Sequence, residues 1–168
     1  MMAQPLCREP LLPVYLERIK FVVPCAVTAQ GYFFGGFMKR NEAREQAFLL
    51  IFSADFHADT AAEELIANAK EADAFETDAY TERLIHGVWE HREQLDAEIS
   101  AKLTKWKLSR LPKTTLAILR IGVYEILFCE DVPDSVAINE AVELAKRFGS
   151  EKDYAFINGV LGNIARSK

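Results

Sequence analysis

Cysteine is scarce in this sequence, and its spacing indicates neither a metal site nor a redox motif. The three cysteines, Cys7, Cys25 and Cys129, are scattered and match no C-x-x-C spacing. An odd, scattered set of thiols favours a reducing compartment, so we expect a cytoplasmic protein. No metal ligand is predicted from these residues.

Long hydrophobic runs are also missing. No stretch reaches the ~18 to 20 apolar residues that a membrane-spanning helix needs, so no membrane association is predicted. Half of the 168 residues are nevertheless hydrophobic, which is enough to bury a sizeable core in one or at most two domains. The net charge of −5 argues against a protein that coats nucleic acid over its whole surface. Binding to a polyanion would need a local basic patch.

Motifs that carry catalysis are absent as well. The sequence has no glycine-rich phosphate loop, no dinucleotide fingerprint, and no serine or cysteine beside a base. His86 and His91 are five residues apart, which excludes the zinc pairing of H-E-x-x-H. Glu140 and Glu143 share a helix face, but no E-x-x-H segment exists to complete a bundle metal site. We therefore predict no enzyme, no catalytic residue, no cofactor and no metal.

The composition changes at Met38. Residues 1–37 contain four of the six prolines, which forbids a long helix there. Three interpretations stay open for this leader: a secretory signal, which Pro24 and the acidic residues before it disfavour, a functional arm, or an upstream extension before a start at Met38. We expect the extension, followed by one helical domain over residues 38–168.

From Met38 onward the apolar residues recur at helical spacing, and no useful strand-like alternation appears. The pattern predicts an all-α fold of six to seven helices. Asn41 is the expected N-cap of the first helix, residues 61–72 form a second, and Thr77 or Asp78 begins a third.

The helix that begins near Pro112 is apolar on almost every side and must be buried. Its apolar residues are Leu116, Ile118, Leu119, Ile121, Val123, Tyr124, Ile126, Leu127 and Phe128. The other helices have to surround it, which predicts a compact bundle. Gly149 is expected to be the left-handed residue after the next helix, and Ser150 with Asp153 to form the capping box of the last one.

Basic and aromatic residues occur together in an otherwise acidic chain. Lys39, Arg40 and Arg44 mark the first helix, and Lys152 lies between Phe148 and Phe156. Cations beside accessible rings suit single-stranded RNA, whose bases stack while its phosphates are neutralised. The alternative is that the rings belong to the core and the cations are ordinary surface residues.

Four segments of the chain resemble the bacterial transcription antitermination factor NusB family. They are residues 39–48 (KRNEAREQAF), 117–125 (AILRIGVYE), 132–149 (VPDSVAINEAVELAKRFG) and 156–161 (FINGVL). The similarity runs from Met38 to about Ala165. It implies an all-helical protein of two packed helical subdomains.

The resemblance also implies partners and a function. Members bind the ribosomal protein NusE, and the pair binds the single-stranded boxA element of nascent ribosomal RNA. With NusA and NusG this assembly keeps RNA polymerase resistant to termination. Some relatives self-associate, so a homodimer stays open.

Site residues follow from the resemblance, position by position. The expected RNA-binding residues are Lys39, Arg40, Arg44, Phe148, Lys152 and Phe156, and the expected NusE-binding residues are Phe52 and Thr115. Leu49 departs from the glutamine that the family often has, which affects the expected partner contacts. Lys152 stands where an acid is common and should favour RNA.

Two rival functions stay open. One is a helical protein-protein adaptor or homodimer without an RNA role. The other is suggested by the similar N-terminal module of some ribosomal RNA cytosine methyltransferases, whose long catalytic domain has no counterpart in this sequence. RNA binding that depends on NusE would separate the antitermination factor from both.

Overall fold

In the computed structural model, residues 39–56, 64, 66, 67, 78–104 and 106–168 are described. They form six α-helices, a 3-10 turn at Leu108–Arg110, and no strand. The helices are α1 Arg40–Ala54, α2 Ala79–Glu90, α3 Arg92–Lys102, α4 Lys113–Phe128, α5 Asp134–Phe148 and α6 Glu151–Ser167. The prediction of an all-α bundle is thus confirmed. The predictions for the leader and for most of residues 61–72 lie outside the described residues.

The apolar helix α4 is the centre of the bundle, as its sequence predicted. It packs against each of the other five helices, while α1 pairs with α2 and α5 pairs with α6. Its side chains Ile118, Leu119, Ile121 and Ile126 are at most 1% exposed. Burial of each such side chain contributes about 1.5 to 3 kcal/mol relative to an exposed one. Every surface helix therefore has α4 as one of its packing partners.

A glycine allows α6 to approach α4 closely. A Cβ at Gly122 would lie 2.7 Å from Cδ1 of Leu161 and 3.5 Å from the Cβ of Ala141. No side chain fits in that space unless Leu161 moves. The position of α6 on the core thus depends on the missing side chain at residue 122.

Two of the predicted helix starts are confirmed. Oδ1 of Asp78 accepts a hydrogen bond from the backbone N–H of Thr81 at 2.8 Å and caps α2. Oδ2 of Asp153 accepts from the backbone N–H of Ser150 at 2.7 Å, as one half of the capping box at α6. Both caps satisfy backbone donors that a helix cannot pair internally.

Two other predictions about helix ends are wrong. Asn41 is not the N-cap of α1, because the helix begins at Arg40 and the Glu42 carboxylate accepts from the backbone N–H of Lys39 at 3.2 Å. Gly149 is not left-handed, because its φ of −104° and ψ of −169° are extended. Glycine is still required there, since a Cβ would lie 2.7 Å from the Ala145 carbonyl oxygen.

Candidate nucleic-acid interface

The start of α1 presents two of the predicted cations at the surface. Lys39 is exposed, and the Arg40 side chain keeps 56% of its surface exposed. The Arg40 guanidinium carbon is 3.9 Å from the centroid of the Tyr80 ring, and its Nη2 is 3.5 Å from Oδ2 of Asp131. The Tyr80 ring limits where the partly exposed Arg40 side chain can lie.

Arg44 is buried instead, with only 3% of its surface exposed. Its Nε donates to Oε1 of Glu125 at 2.8 Å, and its Nη1 donates to Oε2 of Glu140 at 3.3 Å. Arg44 lies three residues before the fully buried Ala47, and residues at this spacing share a helix face. The structure therefore places Arg44 beneath the surface that was expected to contact RNA, where it joins α1 to α4 and α5.

The buried group around Arg44 has shifted ionisation equilibria. Burial raises the pKa of Glu125, and the charge of Arg44 offsets this only in part. Burial also raises the pKa of Tyr80, whose hydroxyl donates to Oε1 of Glu125. Burial opposes the charge of Arg44, but the Glu125 carboxylate outweighs it and raises the pKa of the guanidinium. Tyr80 therefore remains a proton donor, and Arg44 remains charged, at neutral pH.

The junction between α5 and α6 carries the predicted rings and the third exposed cation. Phe148 is half-buried, with its ring centroid 4.8 Å from that of Phe48 on α1. Phe156 is half-buried against the core, and Lys152 between the two rings is exposed. Neither ring is completely enclosed, so each keeps an accessible part.

Contacts between α1 and the end of α5 connect the two groups of predicted residues. Arg147 forms an ion pair with Glu45, one turn before Phe48 on α1. Arg40 and Phe48 are eight residues apart, or about 12 Å along the helix. We call the following five residues the cationic rim: Lys39, Arg40, Phe148, Lys152 and Phe156.

The residues predicted to bind a protein partner lie at the other end of α1. Phe52 is half-buried between Phe48 and Phe56, with ring centroids 5.9 Å and 5.2 Å away. Phe56 is 45% exposed, and the Nζ of Lys113 lies 5.1 Å from its ring centroid. Thr115 is only 1% exposed, so its side chain is not part of the surface. Phe52, Phe56 and Lys113 form the accessible part of this region, which we call the partner end.

Two charged groups were not predicted from the sequence. At the rim, Arg83 of α2 pairs with Asp131, 48 residues further along the chain. Near the partner end, the buried Arg120 of α4 donates to both Asp55 and Asp96. The interruption of the apolar pattern of α4 by arginine was a signal for the second group, because a buried charge needs partners. No local signal connects Arg83 with Asp131.

Within the part of the chain that is described, no group of three or more His, Cys, Asp or Glu residues could hold a metal ion. None of the helices in the same part is long and apolar enough to cross a membrane.

Comparison with known proteins finds a match to the NusB family over residues 41–166. The chain is 49% identical over 127 residues to the transcription antitermination protein NusB of Bacillus subtilis, covering 76% of this chain and 95% of that protein. Its fold is similar to that of T. maritima NusB, with a TM-score of 0.68, 34% identity and coverage of 77% and 92%. It is also similar to a chain in the crystal structure of the antitermination factors NusB and NusE in complex with dsRNA. That match has a TM-score of 0.67, 28% identity and coverage of 77% and 97%.

Proposed function

This chain belongs to the NusB family, and we propose that it is a transcription antitermination factor that binds boxA RNA of nascent ribosomal RNA transcripts together with NusE. The observation that carries the proposal is the cationic rim, where exposed Lys39, Arg40 and Lys152 accompany two half-buried rings. Lysine and arginine neutralise phosphates, and ring faces stack with unpaired bases. Arg44 supports this surface from below rather than contacting RNA.

NusE is the proposed protein partner, and the partner end is its proposed contact surface. A NusB of similar fold was crystallised with NusE and dsRNA. The exposed ring of Phe56 and the cation of Lys113 give this surface an apolar centre and a polar margin, a common arrangement in protein interfaces. Thr115 lies beneath it and contributes through packing at the start of α4.

Cooperation between the two proteins follows from the charge distribution. The chain has a net charge of −5, and its rim can neutralise only a few phosphates, so it should bind RNA weakly alone. Once NusE is bound, RNA contacts on the two proteins form at high effective concentration. The proposed role needs no catalytic step. The assembly would act in the cytoplasm with NusA, NusG and RNA polymerase.

A titration of labelled boxA RNA by fluorescence anisotropy, with and without saturating NusE, tests this function. We expect the affinity to rise at least about tenfold with NusE, because the two sets of contacts add within one complex. RNA of the same composition in scrambled order is the control. Equal affinities with and without NusE, or equal affinities for boxA and scrambled RNA, would contradict the proposal.

Charge reversal separates this function from that of a protein-protein adaptor. Lys39→Glu combined with Lys152→Glu changes two exposed rim residues that lie outside the core. The double variant should lose most of its boxA affinity and still bind NusE, which pull-down and calorimetry would measure. An adaptor without an RNA role would behave identically before and after the change.

A further inference from the structure

Two arginines from different helices meet over one tyrosine ring beside the cationic rim. The guanidinium carbon of Arg40 on α1 is 3.9 Å from the Tyr80 ring centroid, and that of Arg83 on α2 is 4.9 Å away. The side chains remain 56% and 41% exposed. Tyr80 itself is buried and fixed by its hydrogen bond to Glu125. The ring therefore provides a rigid support for two cations that stay partly exposed.

A single carboxylate bridges the two arginines. Nη2 of Arg83 is 2.9 Å and 3.0 Å from the oxygens of Asp131, and Nη2 of Arg40 is 3.5 Å from Oδ2. The spacing of the guanidinium groups thus already accommodates one small anion with several oxygens. A phosphodiester offers two charged oxygens of the same kind, and arginine binds both groups through paired hydrogen bonds.

Exchange of Asp131 for another anion should be easy. The Asp131 side chain is 44% exposed and lies in the loop before α5, so it can return to water when it is displaced. Exposed ion pairs are weak, so a phosphate contact can replace the contact with Asp131. The Arg83–Asp131 ion pair differs from the Arg44–Glu125 ion pair, which is almost completely buried. Separation of Arg44 from Glu125 would leave an unpaired charge in the core.

An open cleft lies next to this site. It has a volume of about 360 Å³ and is lined by residues from α1, from the loop before α5 and from α5 itself, among them Arg40, Asn41, Asp131 and Val136. Val136 is 40% exposed, so the cleft that Arg40 lines also has an apolar surface. A strand whose phosphate binds the arginines therefore has space beside it for the attached nucleoside.

We propose that Arg83 and Arg40 together bind one phosphodiester of a single-stranded RNA, and that Asp131 occupies this phosphate site in the unbound protein. The inference rests on the proposed RNA-binding function and adds Arg83, on a second helix, to the cationic rim. It extends the RNA surface from α1 onto α2. It also assigns Asp131 as the internal competitor of the RNA backbone.

Arg83→Gln tests the site by removing one cation. In complex with saturating NusE, the variant should bind boxA RNA about three- to tenfold more weakly. The slope of log K against log salt should decrease by about 0.7, the value for one phosphate contact on a single strand. An unchanged affinity and an unchanged slope would overturn the proposal.

Arg92→Gln is the matched control. Arg92 is similarly exposed at 38%, pairs with Asp55 at 2.7 Å, and lies over Trp89 with 5.8 Å to the ring. Its partner Asp55 directly follows the 15-residue helix α1, and that end of the helix is about 22 Å from Arg40. The control removes the same charge and should leave the salt slope as it is in the wild type. A slope reduced equally by both variants would reveal a general charge effect and overturn the assignment.

Asp131→Asn keeps both arginines and removes the competing charge. Under the proposal this variant should bind boxA RNA about threefold more tightly, because no carboxylate has to be displaced. Weaker binding would overturn the role of Asp131. Wild-type protein that fails to bind boxA with NusE would refute the proposed function itself. Wild-type binding with no response to either substitution would refute only this site.

Discussion

Arg44 and Arg120 are two buried arginines at opposite ends of α1, and their surroundings differ in an instructive way. Arg44, 3% exposed, joins α1 to Glu125 of α4 and Glu140 of α5. Arg120, 4% exposed, joins α4 to Asp96 of α3 and to Asp55, which directly follows α1. Each arginine thus connects three parts of the chain that are far apart in sequence.

The two groups differ in their charge balance. Each of the two arginines pairs with two carboxylates. Asp55, a partner of Arg120, also accepts a hydrogen bond from a second arginine, Arg92, at 2.7 Å. Loss of Arg44 would leave Glu125, 1% exposed, without a cation. Loss of Arg120 would leave Asp55 still paired. The buried carboxylate near the rim therefore depends on Arg44, whereas the buried carboxylate near the partner end has a second cation, Arg92.

The largest expected effect is on stability. Arg44→Met should lower the free energy of unfolding by about 3 to 5 kcal/mol, because it leaves a buried carboxylate unpaired. Arg120→Met should cost less, because Arg92 remains beside Asp55. Urea denaturation followed by circular dichroism measures both. Equal losses of stability in the two variants would show that the ion pair of Arg92 with Asp55 does not compensate for the loss of Arg120. Adding Glu125→Gln to the Arg44 variant should restore part of its lost stability.

The next effect concerns which ligand each end binds. Arg40→Glu should weaken boxA binding about tenfold while it leaves NusE affinity within about twofold, since it reverses a charge at the rim only. Lys113→Glu should do the opposite, because its Nζ lies over the exposed Phe56 ring and donates to the Asp55 carbonyl oxygen at 2.7 Å. Calorimetry with NusE and anisotropy with RNA give both affinities for each variant. If both variants weakened both ligands alike, the division of α1 into two functional ends would be wrong.

The smallest effects are in the pH dependence of two carboxyls. Burial raises the pKa of Glu125, so its stabilising contribution is full below the unfolded pKa and declines as pH rises through the folded value. For Asp131, slight burial acts upward, but the hydrogen bond and charge of Arg83 outweigh it and lower the pKa. Its contribution is present above the unfolded pKa and is lost as pH falls through the folded one.

Opposite slopes are therefore expected for the two carboxyls. Relative to Glu125→Gln, wild-type stability should decrease as pH rises above the ordinary glutamate pKa of about 4.3. Relative to Asp131→Asn, it should decrease only at more acidic pH. Carboxyl carbon NMR titrations measure both groups, and Arg83→Gln should return the pKa of Asp131 toward its ordinary value. A pKa of Asp131 that does not respond would exclude Arg83 as the cause.

Helical spacing explains how far the local predictions could succeed. The apolar residues of α4 predicted its central position, and Asp78 and Ser150 are confirmed as cap residues, because these features depend on neighbours in sequence. The spacing also placed Arg44 on the face of Ala47 and Phe48, a signal that the similarity to Lys39 and Arg40 obscured. The helix face of Arg44 indicates its burial, which its charge does not.

Gly149 shows a different limit. A glycine after a helix is most often left-handed, yet here the backbone is extended, and the requirement comes from the nearby carbonyl oxygen of Ala145. The sequence therefore indicates correctly that a glycine is needed at this position, but not the physical reason for it. Close approach between backbone atoms is a property of the folded chain and has no signature in local sequence.

Taken by itself, the sequence determined the helical class, the burial of α4 and the resemblance to the NusB family, because periodicity and motifs are carried by residues close together along the chain. Tertiary structure alone decided that Arg44 is covered by Glu125 and Glu140, and that Arg83 meets Asp131 beside Arg40. Those contacts join residues 48 to 96 positions apart. Packing of α1 and α2 on α4 brings them together, and charge alone does not say which cations the core will cover.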